Sequence, residues 1–267
     1  MVVNARAGVE VGLPARRTYG LFAVAPPTDN QRAAAAGHEY QAVCGDTSLS
    51  VDPCESPGES PGESPGSPGD RPTIGPAVFG GDPIFVEALY RCGLVGDNAA
   101  DAADRAESAL DLTTERQVEA QLWTQLLDPE SACVAVDPLC DDVCFAVGAV
   151  EAHLRSTLPG QGVIHAPTIL EPLLADGNML IRNGTRLETP LGTPVVLGSG
   201  YSTNVGAPGA ATIFGTGPVH VFLGNAETVE MIDHQNNERQ VLARRAASVS
   251  FECGCVSALV TVCETES

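Results

Sequence analysis

Residues 97–127, DNAADAADRAESALDLTTERQVEAQLWTQLL, constrain the fold more than any other stretch. Ala99, Ala102, Ala103, Ala106 and Leu110 recur at helical spacing, and Val118, Leu122, Trp123 and Leu126 carry the same stripe onward. Asp97 or Asn98 supplies an N-cap, and Asp101 and Asp104 favour the positive N-terminal end. Asp128-Pro129 stops the helix, and Thr113-Thr114 marks a place where it can bend. About 30 residues at a rise of about 1.5 Å each give a rod roughly 45 Å long. The remainder of the 267 residues, enough for one large or two modest domains, has to be arranged along it.

The preceding segments are extended. Residues 1–37 read as an arm, with Pro14, Pro26 and Pro27, few periodic apolar positions and one helical turn at Ala33–Ala36. HEYQAVCG (38–45) reads as a strand. DPIFVEALYRCGLVG (82–96) is another: Ile84, Val86, Ala88, Tyr90, Cys92 and Leu94 alternate with Phe85, Glu87, Leu89 and Arg91. Between them lies a Pro/Gly/Ser-rich loop, 45–82, that contains the low-complexity run ESPGESPGESPGSPGD (55–70). Pro biases each unit toward extended geometry and Gly keeps it pliable. These two strands predict a hairpin with an extended tip, and the slow growth of loop-closure entropy tolerates the insertion.

After the long helix the chain changes character. Residues 137–158 predict a second helix with Val143, Val147, Val150, Leu154 and Leu158 inward. GVIHAP (162–167) reads as a short buried strand and TILEPLLADG (168–177) as a short helix closed by Gly177. Strands follow: MLIRNGTRLE with an Asn183-Gly184 hairpin turn, then TPVVLGSG, ATIFGTG and PVHVFLG. The closing run NERQVLARRAASVSFECGCVSALVTVC predicts one long, nearly continuous strand to Cys263. Strands and helices that are not in βαβ alternation make the class α+β.

Charge narrows the function. The chain has no Lys; its 14 basic residues are all Arg, against 34 Asp plus Glu, a formal net charge of -20. That balance argues against phosphate-driven, sequence-specific nucleic-acid binding and against anchoring to anionic membranes. No apolar run is long enough to span a bilayer, and MVVNARAGVEVGLPARR lacks the layout of a secretory signal, so folding in a cytoplasm is expected. The nine cysteines do not fit paired zinc knuckles: Cys140-x3-Cys144 and Cys253-x-Cys255 have the wrong spacing and no nearby His. They read as buried free thiols, with disulfides becoming reasonable if the mature object leaves the cell.

Catalytic patterns are sparse. GSGYS (198–202) is no nucleophile elbow, and without Lys no Walker loop forms; FGTGP (214–218) and FGGDP (79–83) read as turns. Of His38, His153, His165, His220 and His234, His165 in GVIHAP is the best candidate for a Cys–His pair, yet a lone His in an apolar strand reads first as a satisfied core residue. Glu151 and His153 lie on different faces of their helix. Asp137, Asp141 and Asp142 read as a solvated helix N-terminus rather than a cation site. Arg244-Arg245 reads as an inter-subunit salt-bridge donor. No enzyme, cofactor or metal is expected.

The order of elements resembles a tailed-phage major capsid protein of the Hong Kong 97-type fold. GVIHAPTILEPLLADG resembles the strand-Pro-helix unit of actinophage-type members, and TGPVHVFLG…NNERQVLARRA their closing strands. The resemblance implies an N-terminal arm at 1–37, an extended loop hairpin at 38–96 with its tip at 45–82, and a spine helix and peripheral domain at 97–136. An axial domain at 137–225 and strands returning to the peripheral domain at 226–267 complete it. It implies pentamers and hexamers of the chain in an icosahedral head around double-stranded DNA, located in the virion and assembled in the host cytoplasm. Scaffold, portal and cement proteins are the other partners implied. No scaffolding segment precedes the arm, so scaffold is expected as a separate or earlier-removed protein. Without Lys, Lys–Asn isopeptide cross-links are excluded, and covalent reinforcement would fall to cysteines. Cys44, Cys54, Cys92, Arg91, Arg244 and Arg245 are therefore the candidate inter-subunit contacts or disulfides. An encapsulin-type cargo shell of the same fold is the nearest alternative. A phage tail or head-decoration protein is another, though it should be mostly β and have no use for the 97–127 helix.

Overall fold

The structure is a computed structural model and describes residues 19–42, 77–93, 99–128, 133–138, 142–158, 160–202 and 210–261. The repeat 55–70, Cys44, Cys54, Cys140, Asp141 and Cys263 lie outside them.

In chain order the elements are α1 (Leu21–Val24), β1 (Thr28–Asp29), α2 (Gln31–Ala36), β2 (His38–Ala42), β3 (Ala77–Gly81), β4 (Pro83–Gly93) and α3 (Ala99–Leu127). Then come β5 (Val134–Ala135), α4 (Val143–Thr157), β6 (Val163–Pro167), a 3-10 turn at Thr168–Leu170 and α5 (Glu171–Asp176). The remainder is strand: β7 (Ile181–Asn183), β8 (Arg186–Glu188), β9 (Pro194–Gly198), β10 (Ala210–Thr216), β11 (Val219–Leu223), β12 (Glu227–Asp233), β13 (Glu238–Phe251) and β14 (Cys255–Thr261).

The long helix α3 organises the first of two layers. Its stripe Ala102, Ala106, Leu110, Val118, Leu122, Trp123 and Leu126 is buried against a sheet centred on β13. β4 runs antiparallel along one edge of β13 from Glu238↔Gly93 to Ser248↔Pro83. β12 and β11 follow one another along the opposite edge, and β1 adds in parallel to β11. The predicted alternation in β4 holds: Val86 is buried and Ile84, Ala88, Tyr90 and Cys92 pack on the core, while Phe85, Glu87, Leu89 and Arg91 point out.

A second, seven-stranded sheet has the order β5-β14-β10-β6-β9-β8-β7. Its core, with Val147, Val150 and Leu154 of α4 against Ile164, Ile213 and Val256, is separate from the first. The Asn183-Gly184 turn forms the β7–β8 hairpin, with Gly184 at φ +63°, a conformation glycine adopts without steric cost.

Four expectations change. The hairpin partner of β2 is β3 (Ala42↔Ala77 to His38↔Gly81), not the strand at 83–93. β4 has eleven residues and one apolar face; the fourteen-residue β13 and the helix above offer it a full ladder and a core, whereas β2 offers five pairs. The second helix begins at Val143 rather than 137, because the Asp142 carboxylate accepts from the Cys144 N–H and caps it. The closing run is two strands, not one: Cys253 (φ +58°) and Gly254 (φ +84°) turn the chain out of the first sheet and into the second. β11 accordingly shares a sheet with β12 and β13 rather than with the other strands of 137–225. Finally, not all cysteines are free thiols: Cys133 and Cys255 form a disulfide and Cys253 is also disulfide-bonded, whereas Cys92 and Cys144 are free. The parallel pairing Val134↔Val256 places Cys133 beside Cys255, with Cα atoms 4.6 Å apart, an ordinary disulfide spacing.

Candidate functional site

Buried polar groups are where chemistry would be sought, and here they bind parts of the chain to one another. Glu119, on the apolar side of α3, accepts hydrogen bonds from the Leu21 N–H (3.0 Å), the Gly200 N–H (2.9 Å) and the Ser199 hydroxyl (3.1 Å). Burial raises its pKa, while those hydrogen bonds oppose the rise. Glu115, one turn earlier, accepts from the Phe22 N–H at 2.8 Å. Two carboxylates on one helix thus fasten both the incoming chain and the 199–200 loop to α3. The packing demands glycine: a Cβ on Gly200 would lie 2.2 Å from the Arg116 carbonyl oxygen.

His165, the strongest catalytic candidate by sequence, lies in a closed neutral relay. Its Nδ1 is 2.9 Å from the Tyr201 hydroxyl and its Nε2 is 2.9 Å from the Thr216 hydroxyl. Thr216 donates its own proton to the Gly217 carbonyl at 2.8 Å, so it accepts from Nε2–H, and Tyr201 donates to Nδ1. Burial alone lowers the imidazole pKa to about 3, and burial first, then Glu119 and Glu115, pushes that of Tyr201 well up. Tyr201 also stacks on Trp123, with ring centroids 4.6 Å apart. His165 is a satisfied core residue that ties the second sheet to α3. Glu151 is a similar staple: its carboxylate accepts from Thr189 at 2.8 Å and from Thr193, and pairs with Arg155 at 3.4 Å.

The other histidines are spread over the chain. His38 bridges Ser248 and Ser250 at 2.7 Å each, and its pKa is lowered by burial and then by His220. His220 meets Glu252 at 2.7 Å. Among the described residues no group of three or more His, Cys, Asp or Glu is placed to hold a metal ion, and no helix is long and apolar enough to cross a membrane.

The candidate contact residues divide between two faces of the first sheet. Register puts Glu87, Arg244 and Glu227 in one cross-strand row, Leu89, Leu242 and Val229 in the next, and Arg91, Gln240 and Met231 in a third. These rows form the face turned away from α3. Arg244 meets Glu227 at 3.4 Å there, and Arg91 is exposed. Arg245 points to the other face and meets Asp111 of α3 at 2.8 Å; Cys92 also lies on that inner face. Both arginines of the pair thus have a carboxylate partner in their own chain. Among the described residues the outer face mixes those charges with exposed apolar side chains: Phe85 is 64% exposed, Leu89 46%, Val229 43% and Met231 48%. Reading the sequence picked out the alternation of β4 but not this face, because β12 carries no alternation of its own and takes its place from the pairing with β13. Glu119 was also missed; its one signal is a carboxylate set among Val118, Leu122 and Trp123.

No protein-family model and no curated protein matches the sequence. Among solved structures, the capsid of an empty GTA particle, computed with five-fold symmetry, is similar at 10% identity and a TM-score of 0.57, over 97% of this chain and 96% of that one. A chain of Mycobacterium phage Che8 is similar at 12% identity and a TM-score of 0.53, over 96% of this chain and 98% of that one. The holo-SrpI encapsulin complex from Synechococcus elongatus is similar at 11% identity and a TM-score of 0.52, over 98% of this chain and 95% of that one. The likeness is one of fold: α+β, and of the Hong Kong 97 capsid type along nearly the whole chain.

Proposed function

We propose that the chain is a structural shell protein, the major capsid protein of a tailed phage, which assembles into an icosahedral head around double-stranded DNA. The observation that carries this reading is the full-length likeness in both directions to the GTA capsid chain and the Che8 chain, rather than a match to one shared module. Residues 1–37 are then the arm, the β2–β3 hairpin with the segment between its strands (38–81) the extended loop, and α3 the spine. The first sheet is the peripheral domain, and the second sheet, with β14 included, the axial domain. Partners are other copies of the chain in pentamers and hexamers, together with scaffold, portal and cement proteins; assembly takes place in the host cytoplasm and the product is the virion.

The outer rows of β4, β13 and β12 support the same reading. The row of exposed aliphatic side chains is costly to leave in water, and we assign it, with the charged row of alternating sign beside it, to contact with a neighbouring copy. A structural role follows for the buried polar groups as well, since each satisfies donors of its own chain.

A second reading has one observation in its favour: the encapsulin chain fits nearly as well as the Che8 chain. The contents of the particle separate the two. Particles purified from their native source and treated with nuclease should retain double-stranded DNA if the chain is a phage capsid. Particles free of DNA but filled with a single folded enzyme would overturn that reading in favour of the cargo shell.

A further inference from the structure

β2 and β3 form a two-stranded sheet of their own that shares no ladder with either larger sheet. The chain enters it from α2 through Gly37 and leaves it for β4 through Asp82. Side chains tie its base to β13. The His38 imidazole, on the first residue of β2, bridges two buried hydroxyls: Nδ1 is 2.7 Å from Ser248 and Nε2 is 2.7 Å from Ser250. Those serines are two residues apart in one strand and so share a face of it. The Ser248 hydroxyl in turn donates to the carbonyl of Gly81, the last residue of β3, at 3.0 Å. One ring and one hydroxyl thus hold both strands of the hairpin on the same stretch of β13.

The proton positions follow from that network. Ser248 gives its hydrogen to Gly81 and therefore accepts from Nδ1–H, which leaves the Nε2 lone pair of the neutral ring to accept from Ser250. A proton added at Nε2 faces the Ser250 hydrogen, and the hydroxyl has to turn for the contact to survive. The ring is half-buried, with Phe222 edge-on to it at 4.5 Å between centroids. Charged groups face it from each neighbouring element: His220 of β11, which meets Glu252 at 2.7 Å, Arg32 of α2, Glu39 of β2 and Asp82 after β3. The carboxylates favour a cationic ring; burial first, and then the charge of His220, disfavour it and prevail, so its pKa is lowered.

We propose that His38 is a proton-operated latch at the base of the β2–β3 hairpin, which holds the hairpin on β13 while the ring is neutral and releases it on protonation, with both larger sheets still folded. An opened hairpin gives the ring to water, where it binds a proton more readily than in the closed form. The latch therefore holds fully above about pH 6.5 and weakens as pH falls below that value. The inference does not depend on the shell reading, because purified subunits test it.

The experiment follows amide hydrogen exchange of full-length protein at about pH 7 and about pH 5, corrected for the intrinsic pH dependence of exchange. In wild type, opening at the β2 and β3 amides should rise several-fold at the lower pH, by no more than about tenfold per pH unit, while the middle of α3 and β10 stay protected. His38→Gln removes the titrating group and should open to the same extent at both pH values. The His38 ring resonances of wild type should titrate over the range in which the hairpin opens. The proposal is overturned if wild-type opening is equal at both pH values, if the rise persists in His38→Gln, if the ring stays neutral while the hairpin opens, or if α3 and β10 open in step with it.

Discussion

Protonating His165 inside the folded chain breaks its relay, because Nδ1 can no longer accept from Tyr201. The folded-state pKa is about 3, against 6.5 for an unstrained imidazole, so the unfolded chain binds this proton more readily. The stability contributed by the neutral ring is complete above about pH 6.5 and is lost as pH falls toward 3, at up to about 1.4 kcal/mol per pH unit. His38, also lowered by burial, acts in the same direction. Glu119 acts in the opposite one: with its pKa raised in the folded state, its contribution is complete below about 4.5 and fades as pH rises. Thermal midpoints measured from pH 7 to pH 4 should therefore fall, and His165→Gln should flatten the decline; an equal slope in both proteins would refute this role. His165→Leu leaves the Tyr201 and Thr216 hydroxyls short of a partner and should cost about 2–4 kcal/mol in chemical denaturation. Glu119→Ala should speed hydrogen exchange at the Leu21 amide while leaving the middle of α3 protected. The sequence made His165 legible as a core residue because its neighbours Val163, Ile164 and Ala166 are apolar. It could not reveal the duties of Glu119, whose partners lie 98, 80 and 81 residues away.

At the level of elements, periodicity predicted which faces exist but not which strands meet. The alternation through Ile84–Cys92 named the inward face of β4 correctly, and the stripe of α3 named the helix that covers it. The partner strand was misassigned because alternation is the same whichever neighbour supplies the ladder; strand length and the helix core decided in favour of β13. The two-sheet division of the last strands hinges on two left-handed residues, Cys253 and Gly254, in a run otherwise rich in strand formers. Two predictions belong here. Leu89→Asp with Val229→Asp adds charge to the outer face without touching the core, so circular dichroism and the subunit's unfolding midpoint should hardly change while assembly is abolished; particles of normal yield would remove this face from the contact. Deleting 55–69 should likewise leave the subunit folded, since Ala42↔Ala77 pairing closes the hairpin beneath the deletion. It should lower the denaturant concentration at which particles fall apart, and particles of undiminished resistance would deny the repeat any part in holding neighbours.

For the molecule as a whole, the long helix and the order of elements around it carried the fold, and they did so at about 10% identity to structures of the same shape. Side-chain chemistry carried almost none of it, which fits the role proposed above, whose requirements are length, layer order and complementary faces. A net charge of -20 adds repulsion between copies, so association should strengthen as salt screens it. The proposed function requires this chain to close into shells with copies of itself. Sedimentation velocity on the purified protein, run across protein and salt concentrations with negative-stain imaging of the fastest boundary, measures this directly. A megadalton species that images as closed icosahedral particles, and whose proportion rises with salt, is expected; a monomer or dimer at every concentration and salt would contradict the proposed function.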